Sequence, residues 1–582
     1  MSYNDEFNKW LSACNEEERK ELLSIKDDEK EKAERFSLPL AFGTAGMRGI
    51  IGIGSFRMNE YTVKRATLGL SLFLKDQGAA ACKKGVVIAY DTRIKSFEFA
   101  LSAARVLAAN GINVYFFENV RPVPFCSFAV GHLKTAAGIM ITASHNPKEY
   151  NGYKVYGPDG AQMSPENTAD VVKYVYSLDY FGIEEADVVT TKRDEITGKD
   201  GFMLNDYIKV IGNSLDQDYY DTISALSLSP EAVKAQGDKL RIVYTPIHGT
   251  GYIPVTTMLK RMGIPCDLVQ EQTTPDGNFP TVKLPNPENP DALALGIKLA
   301  NEIKADVVIG TDPDADRMGV AIRADNGEFT LLNGNQIGAM LADYILLRHT
   351  QKGDLPKNAA IVKTIVTTSL AKKIAESYGA KCIDVLTGFK FIGEKINNWA
   401  IDHEHTFMFG YEESYGYLSG THAKDKDAVV SAMLFAEMVC YYKNEGKSIY
   451  QRLQELYKQH GYYVELSEAT TFPGLDGMKI MADKMDKLGK AEIKTICGID
   501  VEFKDDLNTS TRTFADGRKE KIDLPKSNVY YYSLTSGDWV CARPSGTEPK
   551  LKVYVSACGR SKEEALEKAT ALIKDIKARV IE

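Results

Sequence analysis

Three stretches of this chain repeat one order of apolar and polar positions. Apolar runs at 86–89, 242–244 and 360–362 have the length and content of buried strands. Each leads to a helical pattern, at 99–107, 258–262 and 370–378, that stops at Gly111, Gly263 or Gly379. Glycine just past a helix supplies the left-handed residue that ends it. A second strand follows at 114–117, 266–269 and 382–385. A third apolar run, at 139–141, 307–309 or 407–409, then passes into a polar loop headed by Ser144, Asp312 or Glu412. The glycine and the loop residue are 33 positions apart in the first and third copies and 49 apart in the second. An extra helical pattern at 293–303 takes up the difference.

Strands alternating with helices predict an α/β fold. The remainder of the chain differs in kind, with strand patterns at 529–533, 539–542 and 551–555. A helix then opens on the capping box Ser561-Lys562-Glu563-Glu564. The expected architecture is therefore three similar mixed α/β domains plus a C-terminal α+β domain around a central cleft. The domains are expected at 1–212, 213–328, 329–455 and 456–582, the first 35 residues forming a charged helical extension that packs on the body.

Length supports this division, because 582 residues exceed what one core can organise. Apolar content of 44% and charged content of 26% are those of ordinary globular protein. With 71 basic and 79 acidic residues the formal charge is −8, which disfavours nucleic acid and anionic membrane as partners. An anionic substrate must therefore be drawn in by a local site. Nine scattered cysteines without a C-x-x-C pair predict free thiols in a reducing compartment. No apolar signal core precedes Trp10, and no apolar run has spanning length, so the expected location is cytoplasmic.

Four loops carry the chemistry. Thr142-Ala143-Ser144-His145-Asn146-Pro147, with Lys154 close behind, presents a hydroxyl, an imidazole and an amine after a buried strand. A capped polar turn is the alternative there. Asp312-Pro313-Asp314-Ala315-Asp316-Arg317 sets three carboxylates at alternate positions, which repel unless a hard cation such as Mg²⁺ neutralises them. An EF-hand is excluded, since Arg317 and Arg323 stand where it needs glycine and glutamate. Glu412-Glu413-Ser414 offers an acceptor and a hydroxyl for vicinal sugar hydroxyls, with Lys390 and 424–427 as adjuncts. Arg543-Pro544-Ser545-Gly546-Thr547 combines a guanidinium, hydroxyls and exposed backbone N–H, donors suited to an anchored phosphate. Neither a Walker loop nor a G-x-G-x-x-G turn is present. Less telling are the turn bearing Arg48, the segment Tyr90-Asp91-Thr92-Arg93 and the turn at His248; His403 and His405 read as structural or solvated.

In this order, the four loops resemble the α-D-phosphohexomutase family across nearly the whole chain. The resemblance implies that Ser144 carries a transferable phosphoryl group. It also implies that Asp312, Asp314 and Asp316 hold Mg²⁺, with the Ser144 phosphate as a further ligand. Arg317 would lie beside them. Glu412 with Ser414 would bind sugar hydroxyls, and Arg543, Ser545, Gly546 and Thr547 the sugar's non-reacting phosphate. Lys154 matches a general acid/base, Arg48 an arginine near the phosphoserine, and His145 adjoins the nucleophile. The implied partner is a small phosphosugar, with glucose 1,6-bisphosphate as intermediate and activator, and the chain would be a monomer or dimer.

The sugar loop ends in Ser414-Tyr415-Gly416-Tyr417, not the Ser-Gly-His usual in mannose-handling members, and so resembles glucose-handling ones. Length and the aspartate loop resemble the phosphoglucomutase-2/phosphopentomutase branch. The expected reaction interconverts α-D-glucose 1-phosphate and glucose 6-phosphate, with pentose or mannose phosphates as alternatives by the same mechanism. A metal-dependent sugar phosphatase and a non-catalytic sugar-phosphate-binding protein are the rivals from other classes.

Overall fold

The computed structural model describes residues 2–43, 46–472, 476–545 and 549–581. Its first three sheets repeat one topology. Val86–Tyr90, Val114–Phe117, Ala137–Ile141 and Tyr150–Tyr156 lie side by side in the order second, first, third, fourth. Ile242–Thr245, Cys266–Leu268, Val307–Thr311 and Met318–Arg323 do the same, as do Ala359–Thr364, Lys381–Val385, Thr406–Glu412 and Gly416–Ser419. In each set the first three strands are parallel and the fourth is antiparallel. Parallel neighbours need a crossover, which the helices Ser96–Ala109, Tyr252–Arg261 and Leu370–Ser377 supply. Gly111, Gly263 and Gly379 end those crossovers at φ 72°, 74° and 75°, as the sequence pattern predicts.

The turn from third to fourth strand is the chemically loaded loop in every copy. It sits at the carboxyl end of a central strand, where open α/β sheets bind ligands. The inserted helix of the second copy is Pro290–Glu302.

Edge strands extend two of these sheets. Gly46–Ile50 pairs with Tyr150–Tyr156, and Ile208–Ile211 with Val114–Phe117. Phe329–Leu332 pairs with Met318–Arg323, so the second sheet runs past the boundary expected at 328. The boundary expected at 455 likewise falls inside the helix Ile449–His460.

The C-terminal sheet is antiparallel and larger than the three strands expected. Tyr462–Thr471 forms one edge, paired along its length with Lys550–Gly559. Trp539–Pro544, Tyr530–Leu534, Ile499–Asp506, Thr511–Phe514 and Lys519–Lys521 continue it. The helix Lys562–Ile581 packs on this sheet, but the capping box at its start is only half formed. Glu564 N donates to Ser561 Oγ at 3.2 Å, whereas the Glu564 carboxylate accepts from Arg560 N.

The helix Ala428–Asn444 runs through the largest apolar cluster, and its residues from Ala428 to Tyr442 are all buried. A helix apolar on every side belongs inside a core. Its cap, Asp427, accepts from Val429 N and Val430 N and from the Tyr219 hydroxyl, which fixes the chain just before it. The N-terminal extension folds as the helices Tyr3–Ala13, Glu16–Ser24 and Glu29–Phe36, packed through Phe7, Trp10, Leu22 and Phe36 against Ile53 and Tyr180. All nine cysteines are free. Among the described residues no helix is long and apolar enough to cross a membrane.

Candidate active site

The Ser144 loop and the aspartate loop meet, although they lie in different domains. Ser144 follows the strand Ala137–Ile141 at φ 53°, a conformation a non-glycine residue adopts only when its surroundings enforce it. Thr142 Oγ1 accepts from Ser144 N at 2.8 Å and donates to Asp314 Oδ2 at 3.1 Å. Ser144 Oγ donates to Asp312 Oδ2 at 3.0 Å and lies 3.1 Å from His145 Nδ1. Burial, with Arg317 and Arg48 nearby, pushes the His145 imidazolium well below the usual range, so the ring is neutral. Arg48, on the strand Gly46–Ile50, donates to Asn146 Oδ1 at 3.0 Å and so flanks the same loop.

Asp312, Asp314 and Asp316 are buried, and each turns a carboxylate oxygen into one group within 4.8 Å. Ala315 at φ 47° makes the turn that lets alternate side chains converge. Asp312 Oδ1 accepts from Asp316 N and Arg317 N, which pins the loop on itself. Asp314 Oδ1 and Asp316 Oδ1 are buried without a hydrogen-bond partner, although Arg317 Nε lies 3.9 Å from Asp316 Oδ1. Burial, then the charges of Asp314 and Asp316, raise the Asp312 carboxyl well above the ordinary range.

Two lysines answer this negative charge. Lys154 Nζ, from the strand Tyr150–Tyr156, lies 3.0 Å from Asp314 Oδ2 and 3.6 Å from Asp316 Oδ2. Burial opposes its charge, yet the two carboxylates hold its ammonium above the ordinary lysine range. A free amine base, which needs the opposite shift, is therefore not the resting form of Lys154. Lys426 Nζ lies 3.1 Å from Asp316 Oδ2 and 3.2 Å from Asp425 Oδ1. Asp425 in turn accepts from the Tyr156 hydroxyl at 2.8 Å and Gln162 Nε2 at 3.0 Å. This chain of alternating charges crosses three domains.

The sugar loop joins the same cluster. Arg317 pairs with Gly416 as an isolated antiparallel bridge, and Met318 N donates to Tyr415 O at 3.0 Å. Gly416 has no room for a side chain, since a Cβ there would come within 2.0 Å of Lys426 Cδ. Buried Glu412 accepts from Gly388 N at 2.8 Å, and burial raises its carboxyl above the ordinary range. Ser414 is half-buried two residues on. Glu413 faces elsewhere, accepting from Thr364 and Thr367. Arg317 pairs with Glu288, a partner that sequence reasoning missed because it sits in a proline-rich loop without a chemical motif.

Lys390 and Arg543 stand farther out. With Thr387, Gly388 and Ser545 they line a cleft of about 1010 Å³ between the first, third and C-terminal domains. Burial lowers the Lys390 ammonium somewhat. Gly546 and Thr547, expected to complete the phosphate loop, lie outside the described residues. Of the two histidines expected to be structural or solvated, His403 is exposed where it ends a helix at φ 57°, and buried His405 packs edge-on against Trp399. His248 is also structural, its ring held between Thr274 O and Thr281 Oγ1.

Comparison with known proteins agrees with the repeated fold. Phosphoglucomutase/phosphomannomutase alpha/beta/alpha domains I, II and III match residues 39–180, 217–327 and 333–460, and the C-terminal domain of the same family matches 499–573. A phosphoglucomutase of Staphylococcus haemolyticus is 37% identical over 527 residues, covering 90% of this chain and 91% of that one. One from Staphylococcus aureus strain MSSA476 is 36% identical over 567 residues, covering 97% and 98%. The open form of pp63/parafusin from Paramecium, described as a phosphoglucomutase, superposes with a TM-score of 0.68 at 18% identity, over 93% of this chain and 94% of that one.

Proposed function

The chain belongs to the phosphoglucomutase/phosphomannomutase family, and on that premise we propose that it interconverts α-D-glucose 1-phosphate and glucose 6-phosphate through a phosphorylated Ser144. The observation that carries this reading is the 3.0 Å contact between Ser144 Oγ and Asp312 Oδ2, residues 168 positions apart. It joins a nucleophile to an acidic cluster in one buried place.

The donor set fits a hard divalent cation. Three carboxylates converge, two of their buried oxygens lack hydrogen-bond partners, and the Ser144 hydroxyl adjoins them. Mg²⁺ held by Asp312, Asp314, Asp316 and the Ser144 phosphate would neutralise charge on the transferring group.

The chain's own residues account for the rest. In the first half-reaction a sugar hydroxyl oxygen forms a bond to phosphorus as the bond from phosphorus to Ser144 Oγ breaks. One proton must pass from that hydroxyl to Ser144 Oγ. Lys154, resting as an ammonium, gives its proton to the departing Oγ and takes up the hydroxyl's, ending as it began. Arg48 and Arg317 add fixed positive charge around the equatorial oxygens. The second half-reaction reverses these steps with the other phosphate of glucose 1,6-bisphosphate, after the sugar has turned. Glu412 and Ser414, with Lys390 as an adjunct, would hold hydroxyls in either orientation, while Arg543, Ser545, Gly546 and Thr547 would hold the phosphate that is not reacting.

The test supplies purified protein with Mg²⁺ and trace glucose 1,6-bisphosphate, and compares glucose, mannose and ribose 1-phosphates. Fastest isomerisation of glucose 1-phosphate is the expected result. Preference for ribose or mannose would replace the sugar and keep the mechanism. Inorganic phosphate released faster than isomer would make the protein a phosphatase, and no turnover of any of them a binding protein.

A further inference from the structure

One guanidinium holds the whole nucleophile loop, and it belongs to a residue with no place in the reaction described above. Arg93 follows the strand Val86–Tyr90, and its side chain is completely buried. Its Nη2 donates to Ser144 O at 2.6 Å and Asn146 O at 2.5 Å, and its Nη1 to Pro147 O at 2.8 Å and Tyr150 O at 3.1 Å. All four terminal N–H groups are thereby spent on carbonyls of one loop of seven residues, Ser144 to Tyr150. The arginine is itself held from behind, with Asp91 Oδ2 3.4 Å from Nε and Asp91 Oδ1 accepting from Arg93 N and Ser96 Oγ. From the second domain, the Phe279 ring covers the guanidinium with its centroid 5.1 Å away. The neighbouring Gly277 lies so close that a Cβ would stand 2.4 Å from Ile94 N.

We propose that Arg93 is the positioning residue that sets the main chain of the Ser144 loop, and with it the aim of Ser144 Oγ. Ser144 is buried and left-handed, which turns the chain out of its strand, and among the described residues the Ser144 and Asn146 carbonyls accept from no backbone N–H; Pro147 O shares Arg93 with Tyr150 N, where the next strand begins. A planar fork with donors at fixed angles satisfies four carbonyls and fixes their relative directions; a lysine ammonium, with three donors on one atom, cannot. Arg93 therefore acts through Ser144 on transfer in both directions, and leaves the sugar and phosphate anchors alone. This rests on Ser144 being the phosphoryl carrier.

The test compares Arg93→Lys and Arg93→Ala with the wild type, using α-D-glucose 1-phosphate, Mg²⁺ and trace glucose 1,6-bisphosphate. Misplacing a nucleophile by about 1 Å costs on the order of 100-fold in rate. Arg93→Lys should lose about that factor in kcat, and in the rate at which Ser144 is phosphorylated by the bisphosphate. KM for glucose 1-phosphate should stay within about threefold of wild type, since the substrate anchors are untouched. Low concentrations of guanidinium should restore kcat to Arg93→Ala, and equal methylammonium should not. Should Arg93→Ala fail to fold, the split between kcat and KM in Arg93→Lys decides alone. Wild-type kcat in Arg93→Lys, parallel loss of kcat and substrate affinity, or equal rescue by both cations overturns the proposal. A wild-type protein that turns over glucose 1-phosphate without phosphorylating Ser144 would instead sink the reading of the nucleophile.

Discussion

Replacing Lys426 by methionine should weaken the protein and at the same time make it bind a divalent cation more tightly. Its ammonium lies between Asp316 Oδ2 at 3.1 Å and Asp425 Oδ1 at 3.2 Å, all three side chains being buried. Removing one partner of a buried ion pair generally costs about 3–5 kcal/mol. The lower end applies here, because both carboxylates keep other partners. Asp316 retains Lys154 at 3.6 Å, and Asp425 retains Tyr156 and Gln162. A loss of about 3 kcal/mol is therefore expected in the absence of cation.

A cation at the aspartates would no longer face the Lys426 charge. At an effective dielectric of about 20, a divalent ion and a unit charge about 6 Å apart repel by roughly 5 to 6 kcal/mol. Most of that is offset by screening and by freer motion of Asp316, so Mg²⁺ should bind the Lys426→Met variant about tenfold more tightly, equivalent to about 1.4 kcal/mol. Titration calorimetry gives the affinity, and thermal unfolding across a Mg²⁺ series gives the stability. The variant should start lower and gain more from the cation than the wild type does. Equal or weaker Mg²⁺ binding by the variant, with no larger thermal gain, would refute the idea that Lys426 is a counter-charge to the metal loop.

Other substitutions probe the same site. Asp314→Asn removes one of the three negative charges of the cluster and should weaken Mg²⁺ by more than about tenfold in calorimetry. Glu412→Gln should raise KM for glucose 1-phosphate about 10- to 100-fold, the worth of a hydrogen bond to a charged group, with Mg²⁺ affinity unchanged. The pH dependence follows from Asp312, whose carboxyl is raised by burial and by its two neighbours. The folded state holds that proton more tightly than the unfolded state, so this contribution to stability is present at low pH and lost as pH rises through the raised value. Cation binding needs the ionised form and should therefore strengthen over the same rise. Calorimetry in buffers of different ionisation enthalpy should show proton release on Mg²⁺ binding at mildly acidic pH, falling away at higher pH.

Much of this arrangement is legible in the sequence because it is local. Gly111, Gly263 and Gly379 announce helix ends, and the apolar runs before Ser144, Asp312 and Glu412 announce strands that deliver loops to one side of a sheet. The alternate spacing of three aspartates predicts their convergence once a strand precedes them. What the sequence withholds is set by contacts between distant segments. Lys426 looks like one charge in a polar run, and becomes a bridge only because the helix cap at Asp427 and the strand Tyr150–Tyr156 hold it against Asp316. Arg93 lies in a turn whose carbonyl partners are more than fifty residues away. The strands between 495 and 521 are missing from the expected elements, although Ile499 to Lys504 does alternate apolar and polar residues; Thr511–Phe514 and Lys519–Lys521 are short and carry no such pattern. Their pairing is fixed by Tyr530–Leu534 alongside them.

Everything in the proposed reaction turns on Ser144 carrying the phosphoryl group beside the aspartate cluster. Protein incubated with glucose 1,6-bisphosphate and Mg²⁺, freed of small molecules and mapped by peptide mass spectrometry, addresses it directly. One phosphoryl group is expected, on Ser144, returning to added glucose 1-phosphate at least as fast as the enzyme turns over. Label on a different residue, or undiminished turnover by Ser144→Ala, would contradict it.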